Sequence, residues 1–217
     1  MVIEALERQT LELLAEKGRR CDFKKGAQIF SHGDPGASLL IMESGQAEVS
    51  ITTATGQKSI LGLVGAGEVI GDIACLDGGP RSADVVAVEP VIGLEVARRE
   101  VLQILREDGD SAILVIMALC QKARNASEMF ELKALASGRS RLASCVLRLL
   151  KDQNAEAGNN RVQVSQSWLG AYAGLTRENV NRQLRIWAKD GIAQFEKGAV
   201  VVTNLNALED IALNDGD

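Results

Sequence analysis

Arg177, Glu178, Asn181, Arg182 and Arg185 fall at steps of three and four, which on a helix sets them along one side. Their chemistry suits the edge of a base pair: Arg can give two hydrogen bonds to guanine O6 and N7, and Glu can accept one from cytosine N4. A solvated face of a surface helix is the competing reading of such a charged run. The flanking pattern argues against it. Ser165 and Thr176 stand where helix N-caps belong, Gly174 supplies a tight turn between them, and Ala171, Leu175, Val180 and Leu184 are small or apolar. Two helices joined in this way make a helix-turn-helix, with Thr176 opening the second helix. Residues 192–195, a Lys197-Gly198 turn and residues 199–202 then read as a β-hairpin, the wing of a winged helix. The candidate DNA-contacting residues are therefore Thr176, Arg177, Glu178, Asn181, Arg182 and Arg185.

A second constellation lies at Gly71-Asp72-Ile73-Ala74 and Pro80-Arg81-Ser82-Ala83. Gly71 and Asp72 are expected to open a short turn, and Arg81 and Ser82 to enter the next strand. An Arg, a hydroxyl and backbone N–H groups in a tight loop can hold a phosphate, and a nearby carboxylate suits a sugar hydroxyl. Arg81 has a simpler alternative, a surface ion pair with Asp84 or Asp77.

The elements that must position these groups follow from periodicity. Residues 3–17 carry Leu6, Leu11, Leu13 and Leu14 at helical spacing and end at Gly18. Between 20 and 96 glycine becomes frequent, and short apolar runs at 39–42, 47–51, 60–64, 85–88 and 91–96 read as strands of an antiparallel barrel or jelly roll. Helix returns at Arg98 and persists, with a break near Asp108-Gly109-Asp110, to about Leu135. Along it Ile113, Ile116, Cys120, Ala123, Ser127, Phe130 and Ala134 repeat at steps of three and four, a seam suited to pairing two copies of the helix. Packing of that stripe on the chain's own β-domain is the alternative. Ala136-Ser137-Gly138 reads as a hinge with Ser137 capping the next helix, 142–150 as helix, 154–160 as a polar loop and 161–164 as a short strand.

With 46% apolar and 24% charged residues over 217 positions, the composition is that of a folded protein of one or two domains. No apolar run approaches the ~20 residues that span a bilayer, and the acidic first helix does not read as a signal peptide, so the cytoplasm is the expected compartment. The net charge of −5 divides into −6 over residues 1–136 and +1 over 137–217. The acid sits away from the candidate DNA-binding segment. Cys21, Cys75, Cys120 and Cys145 lack metal-ligand spacing and are expected to be buried free thiols; with a single histidine, His32, no metal site or catalytic set is expected, and the chain reads as a non-enzyme.

GDIA…PRSA in the first half and LTRENVNRQL in the second carry a resemblance to the cyclic-AMP receptor protein/fumarate-nitrate regulator (CRP/FNR) family over essentially the whole chain. The resemblance implies an α+β fold: an effector-binding, cyclic-nucleotide-binding-like β-roll over 1–108, a central dimerisation helix over 109–136 and a DNA-binding winged helix-turn-helix over 137–217. It implies that Arg81 and Ser82 hold a cyclic phosphate with Gly71 beside them, and that Arg177, Glu178 and Arg182 read bases. Asp72 stands where cyclic-AMP-binding members usually carry the ribose-binding Glu, Lys122 replaces the helix Arg that partners it, and Ser127 keeps one of two adenine-contacting hydroxyls while Ala126 replaces the other. Family members with an N-terminal cysteine cluster or a haem are poorer models, because only Cys21 lies early and no axial histidine stands out.

The reading that results is a homodimeric, sequence-specific transcription regulator gated by a cyclic nucleotide, cyclic AMP first, which binds Gly71, Asp72, Arg81, Ser82, Lys122 and Ser127. The resemblance implies a palindromic DNA site with TGTGA-like halves; no cofactor is expected to be required, and a surface facing RNA polymerase is expected near 153–161. A member independent of effector, or gated differently, is the alternative.

Overall fold

The computed structural model describes residues 2–153 and 160–213. All of the expected polar loop but Asn160, and with it most of the segment expected to face polymerase, lies outside them. The chain forms two compact units, Met1–Arg124 and Asn125–Asp217.

In the first unit α1 (Val2–Glu16) leads into β1 (Arg19–Phe23), β2 (Gln28–Phe30), β3 (Ser38–Ser44), β4 (Ala47–Thr52), β5 (Lys58–Val64) and β6 (Val69–Ile70). A short helix α2 (Asp72–Asp77) follows, then β7 (Asp84–Ala87), β8 (Val91–Ala97) and α3 (Arg98–Glu107). The strands form two antiparallel sheets, in the orders β1-β8-β3-β6 and β2-β7-β4-β5.

The apolar run of β3 accounts for the layering. Successive strand side chains point to opposite faces. Leu40 and Met42 enter a core shared by both sheets with Ala47, Ile70, Val85, Ala87 and Val91. Leu39 and Ile41 meet Leu14 of α1, Cys75 of α2 and Val101 of α3 on the other face. A strand buried on both faces has no polar alternation, and each such Leu or Met contributes about 1.5–3 kcal/mol of burial.

Three strands were not expected. β1 (RRCDF) is mostly polar, while β2 and β6 are too short to show a period. The segment after Gly71 is also helix rather than turn and loop. Gly71 adopts φ 77°, which ends β6 and starts α2, and Gly78 closes α2 in the same conformation. Arg81 and Ser82 precede β7 instead of entering it.

The break at Asp108 is a cap. Its carboxylate accepts from the Ser111 N–H (3.2 Å) and hydroxyl at the start of α4 (Gly109–Leu135), which holds the Asp108 carboxyl below its ordinary range. The Ser111 hydroxyl also meets that of Thr10 at 2.9 Å, so two buried side chains tie α1 to the start of α4. Leu114 is buried on that side. On the other side Ile113, Ile116 and Met117 are 56%, 59% and 46% exposed, Phe130 is 75% exposed, and Cys120, Ala123, Ser127 and Ala134 are exposed as well. Within the first unit, Ile113, Ile116, Cys120 and Ala123 of the stripe are therefore not packed against the β-sheets.

In the second unit, α5 (Gly138–Gln153) is capped by Ser137, whose hydroxyl accepts from the Ser140 N–H at 3.2 Å. It is followed by β9 (Arg161–Gln163), α6 (Gln166–Ala173), α7 (Arg177–Lys189), β10 (Ala193–Glu196), β11 (Ala199–Val202) and α8 (Leu205–Leu213). Trp187, Tyr172, Leu142, Leu149, Leu169 and Leu208 are fully buried and form its interior. The final helix, α8, had no counterpart in the sequence reading. It lies against α5, where the Ser140 hydroxyl donates to the Ala212 carbonyl at 2.9 Å.

Candidate functional site

In the second unit local capping places the charged face. Ser165 accepts from the Trp168 N–H at 3.1 Å to start α6, and Gly174 ends it in a left-handed conformation. Thr176 then accepts from the Asn179 N–H at 3.2 Å and starts α7. The close approach of the two helical segments falls on Gly170 rather than on the neighbouring Ala171. A Cβ on Gly170 would lie 2.7 Å from the Leu175 carbonyl oxygen, while Ala171 is only half-buried.

Val180, Leu184 and Trp187 turn the inner face of α7 into the core. Outward, Arg177, Glu178, Asn181, Arg182 and Arg185 line one shallow depression together with Ile186 and Lys189. Lys189 follows Arg185 by one further helical turn, a step the periodicity contained. Arg177, Glu178, Arg182 and Arg185 are exposed. Arg182 donates to Asn179 Oδ1 at 3.0 Å, which steadies its guanidinium near the helix start. Asn181 is half-buried and donates to Gln166 Oε1 at 3.0 Å, so it also braces α7 against α6. The wing has the expected two-residue turn: Lys197 at φ 49° and Gly198 at φ 76° are both left-handed, as a hairpin of this length requires.

In the first unit α2 and the segment before β7 bring Gly71, Asp72 and Arg81 together. Lys122 of α4 joins them, donating to Asp72 Oδ2 at 2.7 Å. The Asp72 side chain is 16% exposed and that of Lys122 45%. This is the pairing that the family resemblance implied for these two positions.

Arg81 is the unexpected feature. It is only 5% exposed, and its partner is neither Asp84 nor Asp77. Nη1 donates to the carbonyls of Ser38 (2.7 Å) and Gly71 (2.9 Å), and Nη2 donates to the Ser38 hydroxyl (3.2 Å). Its guanidinium lies over the Phe30 ring, 3.6 Å from the centroid. Burial pulls the guanidinium below the ordinary arginine range. A Cβ at position 71 would lie 2.5 Å from Nη1 and 2.7 Å from the Phe30 ring, so glycine is needed there for space as well as for its positive φ. Asp84 instead accepts from the His32 N–H (3.0 Å) and from Gln28 (3.3 Å), and Asp77 from the Gly79 N–H (2.7 Å).

Ser82 is exposed beside this cluster. Ser127 is exposed on α4 and belongs to the second unit. Ser38 and Phe30 were absent from the expected set, since nothing in their local sequence marks them as partners of a distant arginine.

The cysteines depart from expectation. Cys75 and Cys145 are buried, Cys21 is half-exposed and Cys120 exposed. Burial and the Glu95 carboxylate raise the Cys21 thiol above its ordinary range, which disfavours the reactive thiolate. Among the described residues no cluster of three or more His, Cys, Asp or Glu is placed to hold a metal ion. Among them, no helix is long and apolar enough to cross a membrane.

Comparison with known proteins finds a match for each half of the chain. Residues 20–108 match the cyclic nucleotide-binding domain family, and residues 140–211 match the Crp-like helix-turn-helix domain family. The chain is 31% identical over 211 residues to the cyclic AMP receptor protein of Thermus thermophilus, covering 97% of this chain and 96% of that protein. In fold it is similar to FixK2 from Bradyrhizobium japonicum, with a TM-score of 0.78 at 21% identity over 89% of this chain and 96% of that one. It is similar as well to the c-di-GMP responsive regulator CLP of Xanthomonas campestris, with a TM-score of 0.79 at 19% identity over 90% and 98%. A nucleotide-binding-type β-roll, a long helix and a winged helix-turn-helix thus occur in one chain, which belongs to the CRP/FNR family of transcription regulators.

Proposed function

We propose that this protein acts in the cytoplasm as a homodimer that binds a palindromic DNA site through α7 and responds to a cyclic nucleotide, cyclic AMP first. The exposed face of α7 carries the DNA part of this reading. Arg177, Glu178 and Arg182 stand in the first turns of a helix that a wing flanks and a buried Trp187 anchors. The first turns of such a helix reach the base edges, and a two-fold dimer presents two of them one DNA turn, about 34 Å, apart. RNA polymerase would be met while the dimer is on DNA.

Arg182→Ala is expected to cost about 1–3 kcal/mol at one base-pair position of each half-site and to relax preference there. Loss of a phosphate contact would instead weaken all sequences alike and flatten the salt dependence. Competition binding with sites substituted one pair at a time separates the two. Selection from random DNA is expected to return a palindrome with TGTGA-like halves; a non-palindromic motif would remove the basis for the dimeric readout.

The effector part rests on Lys122 of α4 joining Gly71, Asp72 and Arg81, which lie within the residues that match the cyclic nucleotide-binding family. Asp72 would accept from a ribose hydroxyl, Arg81 and Ser82 would meet the phosphate, and Ser127 would contact the base. One observation favours a second reading, a member gated otherwise or not at all: Arg81 already has internal partners in Ser38, Gly71 and Phe30. Isothermal titration with cyclic AMP and cyclic GMP decides between them. Measurable heat with either supports gating by a cyclic nucleotide, and none at millimolar ligand in a protein that still binds its DNA site supports the second reading.

A further inference from the structure

We propose that Ser38, oriented by Glu95, latches Arg81 in its buried position and thereby sets how tightly the protein holds a cyclic phosphate. This rests on the reading of Arg81 as the phosphate ligand.

The Ser38 side chain has one proton to give, and it goes to Glu95 Oε1 at 2.9 Å. The hydroxyl oxygen is thereby left facing Arg81 as an acceptor, 3.2 Å from Nη2. Glu95 is held in turn by Arg19, whose Nη2 donates to Oε2 at 2.7 Å and keeps the Glu95 carboxyl below its ordinary range. The result is a directed chain, Arg81 to Ser38 to Glu95, closed by Arg19. It runs from the cassette across β3 and β8 to β1, where register sets Ser38 beside Ala97 and Arg19 beside Glu95. Hydrogen bonds aligned in this way polarise one another.

Ser38 and Arg81 are both buried, at 8% and 5% exposure. Three guanidinium donor contacts are already made to protein acceptors, and the Phe30 ring covers one face. Nη2 carries two N–H donors, and a phosphate that engages both must take one of them from Ser38. Removing the hydroxyl withdraws the competitor and leaves a buried donor for which an anion is the better partner.

The test is titration of the full-length protein with cyclic AMP, comparing wild type with Ser38→Ala, Ser38→Thr and Glu95→Gln. Ser38→Ala is expected to bind about tenfold more tightly, the order carried by one charge-assisted hydrogen bond. Ser38→Thr keeps the hydroxyl and is expected to match wild type. Glu95→Gln leaves the hydroxyl without its charged acceptor and is expected to fall between them. Tighter binding is a readout that damage to the fold does not produce. Binding by Ser38→Ala where wild type shows none would also support the latch. If wild type binds and neither Ser38→Ala nor Glu95→Gln binds more tightly, the latch is overturned and the nucleotide reading stands. Ser38→Thr binding as tightly as Ser38→Ala overturns the role of the hydroxyl. No binding by any of the four at millimolar nucleotide overturns the latch and the nucleotide reading together.

Discussion

Ile116→Asp is expected to yield a monomer at low micromolar concentration. In a single chain Ile116 is 59% exposed in the middle of a stripe that also exposes Ile113, Met117, Cys120, Ala123 and Phe130. Exposed apolar side chains so closely spaced along a helix are uncommon on soluble monomers, which supports the proposed association face. Its three-and-four spacing fits the pairing of two α4 helices, so each protomer would contribute the same residues. A carboxylate at this position would have to be desolvated in both chains, at a cost of about 3–5 kcal/mol for each unpaired charge. Light scattering measures the outcome directly, and a persisting dimer would show that the association face lies elsewhere. DNA affinity should fall with the dimer, because a monomer holds one half-site only.

Arg81→Leu is expected to abolish cyclic-nucleotide binding and to lower stability at the same time. Its guanidinium supplies donors to two backbone carbonyls, those of Ser38 and Gly71, and to the Ser38 hydroxyl. A buried acceptor left without its donor costs about 1–3 kcal/mol, and the stacking over Phe30 is lost as well. Leucine refills part of the volume. A net loss of about 3 kcal/mol would lower the melting temperature by about 10 °C for a unit of this size. Calorimetry and titration on the same preparation read both effects. An unchanged melting temperature would contradict the structural role, and retained nucleotide binding would contradict the ligand role. For a buried arginine the two roles are compatible: the residue that organises the ligand-free cassette is the one a phosphate would recruit.

The two halves of the molecule were legible in the sequence to different degrees. The helix-turn-helix could be read almost residue by residue. Ser165, Gly174 and Thr176 act within three or four positions of themselves, and a cap works the same way whatever lies beyond it. The same holds for Ser137 and for the break at Asp108. Apolar runs also located the longer strands, because burial on one or both faces imposes a pattern over five or more residues. β1, β2 and β6 left no such trace, and a six-residue helix such as α2 is too short to show a period.

Contacts between distant residues were decided by the tertiary structure alone. Arg81 and Ser38 are 43 positions apart, and their meeting depends on the packing of α2 against β3 and on a glycine at position 71 small enough to let the guanidinium through. The sequence marked Arg81 as chemically significant and left its partner open, since any of several nearby acids could have served. Gly170 was likewise passed over, because nothing local distinguishes a glycine at a helix crossing from one that merely tolerates its place. Residue types and short spacings therefore determined which groups could do chemistry. The long-range packing of the β-roll determined that Arg81 faces inward, held by Ser38, Gly71 and Phe30.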